Sequence, residues 1–165
     1  MSIVYAAIGS NLGDRQANID RAISLLREDE EMEILAVSKI IETDFQGEGP
    51  TQDKFLNGAI KIKTDLLPLD VLSRLKTVER RLGRVKAQGT NRPRTMDLDV
   101  LFYDDVVIVD GKTLCIPHPR LHERFFVLEP LMEIAPNMIH PRFGKSIQAL
   151  HQELVHAGSQ EPQSA

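Results

Sequence analysis

One cysteine, Cys115, stands among the 165 residues. An internal disulfide is thereby excluded, which fits a reducing compartment, and Cys115 reads as a buried strand residue rather than a nucleophile. No apolar run approaches the ~20 residues that span a bilayer. The opening stretch, Met1 to Ile8, has no basic flank and runs into Gly9-Ser10-Asn11, so it reads as a first strand and not as an export signal. These absences lead us to expect a cytoplasmic protein without membrane contact. Internal repeats and linkers are missing too. The chain contains no Gly-x-x-x-x-Gly-Lys-Ser/Thr, no Gly-x-Gly-x-x-Gly and no kinase-type catalytic loop; Gly9-Ser10-Asn11-Leu12-Gly13 lacks the lysine of a phosphate-binding loop. No nucleophile or general base announces itself.

What is present suits one domain with an ordinary core. Hydrophobic residues make up 42% and charged residues 27%, as in average soluble proteins. We expect one domain over residues 1–156 and a frayed polar tail over 157–165. The net charge of −4 argues against nonspecific nucleic-acid binding, but it is unevenly spread. Glu28 to Glu33 is an acidic knot. Arg74, Lys76, Arg80, Arg81, Arg84, Lys86, Arg92 and Arg94 face a single acid, Glu79, in the segment they span. The first part, Arg74 to Arg81, reads as a solvated helix face. From Arg84 on, the basic run continues into a loop, which points to a discrete polyanion such as nucleotide phosphates.

Ile3 to Ile8 predicts a strand, with Asp14 capping a helix that repeats Ile19, Ala22 or Ile23, and Leu26. Ile34 to Ile41 and Phe55 to Ile62 predict two more strands, expected to pair, separated by a polar Gly- and Pro-containing loop, Thr43 to Lys54. That loop is long for a compact domain and is a candidate substrate lid. Pro68 suits the first turn of a helix ended by Gly83, in which Leu72, Leu75, Val78 or Glu79, and Leu82 recur. Val85 to Arg94 is a second loop. A strand over Met96 to Tyr103, a hairpin turning at Asp110-Gly111, and helices around Phe126 to Ile134 and Ser146 to Val155 complete an α+β reading with a largely antiparallel sheet.

Asp97-Leu98-Asp99 carries the chemistry. Residues two apart in a strand share a face, so both carboxylates project together while Leu98 enters the core. Two like charges so placed repel unless a cation lies between them. Hard oxygen ligands of this kind suit Mg²⁺, which completes its shell with water and phosphate oxygens, and two such ions can clamp an in-line displacement at phosphorus. A solvated strand face is the competing reading. It is countered by Arg94, three residues ahead of Asp97, whose guanidinium fork matches a phosphate.

These blocks, in order, resemble one family. Gly9-Ser10-Asn11-Leu12-Gly13-Asp14, Phe55-Leu56-Asn57, Arg92-Pro93-Arg94-Thr95-Met96-Asp97-Leu98-Asp99, Ile116-Pro117-His118-Pro119-Arg120 and Arg124 to Leu131 resemble 6-hydroxymethyl-7,8-dihydropterin pyrophosphokinases from residue 3 to about 155. The resemblance implies a ferredoxin-like α+β fold and transfer of pyrophosphate from ATP to the hydroxymethyl pterin, with AMP as co-product. It implies that Asp97 and Asp99 bind two Mg²⁺ ions. It also implies that Arg84, Lys86, Arg94, His118 and Arg124, with Glu79 and Val100, meet ATP, Arg84 and Arg94 acting in catalysis. Asn57 would read the pterin's amide edge, Phe55 and Phe126 would stack on its ring, and Thr43 would join the pocket. A monomer is expected, a weak dimer being the alternative. Asn91, Arg92 and Asp44 depart from the family's usual residues, at the outer pocket and lid. Two other readings stay open: a nucleotidyltransferase, whose Gly-Ser and Asp-x-Asp lie closer together than Gly9 and Asp97, and a ferredoxin-like module that binds a nucleotide without turning it over.

Overall fold

In the computed structural model, residues 1–44, 54–83, 95–110 and 113–160 are described. Strand β1 (Ser2–Ser10) leads into helix α1 (Arg15–Glu28). Asp14 caps that helix by accepting the Ala17 N–H at 3.1 Å, as its position predicts. The expected single strand over 34–41 is two: β2 (Met32–Val37) and β3 (Ile41–Thr43). The break has its cause across the sheet, in β4. Ser38 still donates its backbone N–H to the Ala59 carbonyl at 2.9 Å but accepts the Ala59 N–H through its hydroxyl at 2.8 Å, so a side chain replaces the backbone carbonyl in the ladder there. Strand β4 (Phe55–Thr64) pairs with β1, β2 and β3, all antiparallel.

Helix α2 (Pro68–Arg81) begins with proline at its first turn and ends at Gly83, whose φ of +97° needs a residue without a side chain. It buries Val71, Leu75, Val78 and Leu82, and Leu72 is only half-buried. Strand β5 (Asp97–Tyr103) follows. Then come β6 (Ile108–Asp110) and β7 (Leu114–Ile116), paired as the predicted hairpin, a short 3₁₀ turn at Leu121–Glu123, and helices α3 (Phe125–Ile134) and α4 (Ile147–Gln160). Cys115 is half-buried on β7 rather than buried, because the two-stranded hairpin leaves one face uncovered. α4 runs past the expected start of the tail, to Gln160. Among the described residues no helix is long and apolar enough to cross a membrane.

The sheet order is β2-β4-β1-β5, the ferredoxin-like arrangement, with β5 at an edge. One face carries Val4, Ala6, Ile8, Ile60, Ile62, Met96, Leu98 and Val100 against α1 and α2. The other carries Tyr5, Ala59, Leu101 and Phe102 against α3 and α4. An extra residue on β5 lies between these sets: Ala6 pairs with Val100 but Tyr5 pairs with Phe102. This bulge leaves Leu101 unpaired and turns it, with Phe102, toward α3 and α4. The alternation predicted for Met96, Leu98 and Val100 therefore holds only up to the bulge.

Candidate active site

The end of the sheet where β5 begins, ahead of the bulge, holds the candidate site. β1 sits between β4 and β5, and Gly9 pairs with Asn57 on one side and with Asp97 on the other. Residues directly opposite in antiparallel strands share a face. One row across three strands thus reads Asn57, Gly9, Asp97, and the next reads Ala59, Ala7, Asp99. Phe55 lies two residues before Asn57 and joins the same face. With strands about 4.8 Å apart, Asn57 and Asp97 stand roughly 10 Å from each other across the backbone of Gly9. A Cβ at Gly9 would lie 3.0 Å from Asn57 Oδ1 and 3.8 Å from Phe55 Cδ1. The missing side chain keeps the floor between these groups flat.

Asn57 is buried and donates through Nδ2 to Thr43 Oγ1 at 2.6 Å. Its carboxamide plane is thereby set, with Oδ1 toward the Gly9 floor. Arg15, at the start of α1, holds both ends of the segment that leaves β3 and returns to β4. Its guanidinium donates to Glu42 Oε2 at 2.9 Å and to the Lys54 carbonyl at 2.7 Å. Asp44, exposed, reaches Lys54 at 3.7 Å. Residues 45–53 of the expected lid lie outside the described residues.

At the other side of the cleft, β5 is an edge strand whose outward groups are taken by side chains of α2. Leu98 donates its N–H to Glu79 Oε1 at 3.3 Å and its carbonyl accepts from Lys76 Nζ at 3.3 Å. Glu79 is 1% exposed, and Lys76 closes on it at 2.7 Å. Lys76 Nζ also lies 4.0 Å from Asp99 Oδ1. The helix face read as simply solvated is thus engaged in part: Lys76 reaches β5 and Arg74 pairs with Asp29 at 2.6 Å and with Glu31 at 3.4 Å, whereas Arg80 and Arg81 are exposed as expected. In the sequence Lys76 reads as one charge of that solvated face; its place one turn before the lone acid of the basic run is the signal for a further role. Val100 is 5% exposed toward α1 and α2, so only its backbone faces the cleft side of β5.

His118 donates its backbone N–H to the Leu101 carbonyl at 3.0 Å, which docks the segment after β7 on the same edge. Burial, reinforced by the Arg124 guanidinium and opposed by Asp97, pushes its imidazole down to about 4. The ring is therefore neutral at pH 7. Its Nδ1 faces the Arg120 N–H at 3.4 Å, which leaves the proton on Nε2 as a donor. Arg124 stands at the start of α3 with its guanidinium 5.6 Å from the Phe126 ring centre. Phe126 is half-buried against the α3–α4 core.

The predicted residues thus fall into two groups that one row of the sheet connects: Thr43, Phe55 and Asn57 on the β4 side, and Asp97, Asp99 and Glu79 with His118 and Arg124 on the β5 side. Arg84, Lys86 and Arg94 lie outside the described residues, as do Asn91 and Arg92. Among the described residues no three His, Cys, Asp or Glu side chains gather as a metal cage. Two carboxylates on one strand face are the donor set of a cation that keeps water and phosphate oxygens in its shell, which fits Mg²⁺ rather than Zn²⁺.

The family model described as 7,8-dihydro-6-hydroxymethylpterin-pyrophosphokinase matches residues 5–136. A 2-amino-4-hydroxy-6-hydroxymethyldihydropteridine pyrophosphokinase of Aquifex aeolicus is 42% identical over 153 residues, covering 93% of this chain and 92% of its own. One of the same description from Bacillus subtilis is 42% identical over 133 residues, covering 81% and 78%. The folic acid synthesis protein fol1 of Schizosaccharomyces pombe is 36% identical over 94% of this chain, which spans only 21% of that protein. A crystal structure of Plasmodium falciparum HPPK-DHPS superposes with a TM-score of 0.77 at 15% identity, over 96% of this chain and 45% of the other. At that identity it speaks for the fold alone, and the remainder of those longer proteins has no counterpart here. The chain belongs to the 7,8-dihydro-6-hydroxymethylpterin-pyrophosphokinase family and is a pyrophosphokinase, a transferase of folate biosynthesis.

Proposed function

We propose that the transfer runs from ATP to the hydroxyl of 6-hydroxymethyl-7,8-dihydropterin across the Gly9 floor, with two Mg²⁺ ions held by Asp97 and Asp99. The observation that carries this reading is the row Asn57, Gly9, Asp97, which sets a heterocycle-reading amide and a metal-binding carboxylate on one face of the sheet. The roughly 10 Å between them leaves space for a pterin at one end and a triphosphate at the other.

Each residue then has a task. Asn57, oriented by Thr43, pairs with the amide edge of the pterin, and Phe55 and Phe126 take its faces. Asp97 and Asp99 would hold the cations, which would supply neutralisation of the phosphate charge. His118, neutral, donates Nε2–H to a phosphate oxygen, and Arg124 supplies fixed positive charge beside it. Glu79 serves the nucleotide side through Leu98 and Lys76. Arg84, Lys86 and Arg94 complete the charge around the phosphates, with Arg84 and Arg94 acting on the transferred group. Positioning and charge stabilisation carry phosphoryl transfers, so the absence of an obvious nucleophile or base is no objection to this chemistry. We place the enzyme in the cytoplasm, in keeping with its lone cysteine, and take it as a monomer.

The test is AMP release from ATP and Mg²⁺, with and without the pterin, in the wild type and in Asp97→Ala. AMP that requires the pterin and disappears in the variant is the expected result. Nucleotide binding without AMP release would return the chain to a binding module or to another acceptor.

A further inference from the structure

We infer that Lys76 is a built-in counter-cation of the carboxylate pair: a positioning residue that tethers Asp99 before metal binds and weakens the site's hold on a divalent cation when no nucleotide is present. This rests on the reading of Asp97 and Asp99 as metal ligands.

The ammonium of Lys76 is held by three groups from two elements. It lies 2.7 Å from Glu79 Oε1, 3.3 Å from the Leu98 carbonyl and 4.0 Å from Asp99 Oδ1. An ammonium has three donors, so this set matches its capacity. The first two partners cannot drift. Glu79 is 1% exposed and accepts the Leu98 N–H, and Leu98 is a buried residue in the ladder between the two aspartates. Lys76 reaches this spot one helical turn before Glu79, with its four-carbon stem along α2 and over a third of its side chain exposed. The charge is therefore fixed against the strand that bears the metal ligands, not free in solvent.

A unit positive charge at that place lies within roughly 6 Å of a cation seated on Asp99 Oδ1, given the 4.0 Å to that oxygen and a metal–oxygen bond of about 2.1 Å. Repulsion between +1 and +2 at that distance, even near the dielectric of water, weakens cation binding roughly three- to tenfold. A triphosphate brings several negative charges to the same place and reverses the balance. The arrangement favours metal that arrives with the nucleotide and keeps the two carboxylates from repelling each other until then. A lysine that served only as a strut for β5 would act oppositely, because its loss would slacken the strand and weaken the metal site.

The sign of the change separates these roles. Mn²⁺ alone is titrated into nucleotide-free protein, and free Mn²⁺ is followed by its electron paramagnetic resonance, for wild type, Lys76→Gln, Lys76→Met, Lys76→Arg and Asp99→Asn. Lys76→Gln and Lys76→Met are expected to bind Mn²⁺ roughly three- to tenfold more tightly than wild type. Lys76→Arg keeps the charge and stays near wild type, and Asp99→Asn loses affinity. The two neutral variants use different side chains, so a folding defect in one leaves the other to decide. Unchanged or weaker binding in both, with Asp99→Asn still deficient, overturns the role of Lys76 alone. Undiminished binding in Asp99→Asn overturns the metal-ligand reading, and the role of Lys76 with it.

Discussion

The two ends of one sheet face differ more than the two faces do. Strands β4, β1 and β5 present Ala59, Tyr5 and Phe102 at one end, where α3 and α4 seal them into a core. At the other end the same strands present Asn57, Gly9 and Asp97. The backbone is common to both, so side-chain size and polarity divide core from site. The bulge marks the border. Before it, β5 alternates between core and carboxylate; after it, Leu101 and Phe102 both turn to the α3–α4 core. The rigid end thereby supports a polar end that has little apolar packing of its own, a division expected where binding groups need fixed positions.

The comparison breaks most visibly when one carboxylate at the polar end is neutralised. On the proposed reading, Asp97→Asn removes a metal ligand and several kcal/mol of transition-state stabilisation, so the expected outcome is roughly a 10³-fold loss of turnover. Its melting temperature should stay near that of wild type. Phe102→Ala is the converse: a fully buried ring is lost from the sealed end, at about 3–5 kcal/mol of folding stability. Urea unfolding and AMP release measured on both proteins test the division. A large stability loss in Asp97→Asn, or a large kcat loss in a still-folded Phe102→Ala, would show that the two ends are not separable.

Gly9→Ala sharpens the comparison by altering the floor itself. The new Cβ would press on Asn57 Oδ1 at 3.0 Å, and Asn57 cannot yield without breaking its 2.6 Å bond to Thr43. A displacement of a few tenths of an ångström at a recognition group should raise KM for the pterin roughly tenfold while KM for ATP changes little. An equal rise in both would mean that Gly9 serves strand pairing and not the pterin side.

Much of this was legible in the residues. Met96, Leu98 and Val100 against Asp97 and Asp99 needed only the two-residue period of a strand. Asp14, Pro68 and Gly83 marked helix ends through local chemistry that tertiary contacts seldom override. What escaped was set by partners distant in sequence. Ser38 breaks the second strand because of the Ala59 N–H, 21 residues on. The bulge at Leu101 depends on the register of β5 against β1, which the period of β5 does not contain. Lys76 looked like one charge of a solvated face, because Asp99 and the Leu98 carbonyl lie 22 or more residues away. Gly9 read as the start of a turn, whereas its pairing between Asn57 and Asp97 gives it a second task.

The smallest effect expected concerns the histidines that support the two ends. His118 is placed at the site; His140 belongs to the sealed end, 2% exposed, stacked on Phe143 at 4.2 Å and edge-on to Phe102 at 5.5 Å. Its Nδ1 accepts the backbone N–H groups of Arg142 and Phe143 at 3.2 and 3.4 Å, which requires the neutral ring. Burial, with His122 and Arg142 nearby, pushes its pKa from 6.5 down to about 4. Between these values the unfolded chain binds a proton that the folded chain refuses. The contribution of His140 to stability is therefore full above about pH 6.5 and lost as the pH falls toward 4. From pH 7 to 6 the loss should be under about 1 kcal/mol, steepening below. His140→Gln keeps an acceptor for the turn and removes the titration, so its stability should fall less between pH 6.5 and 4.5 than that of wild type, as read by urea midpoints at each pH. Parallel pH profiles for the two proteins would mean that His140 takes up its proton in the folded state, and that the sealed end is open to water where its packing says it is not.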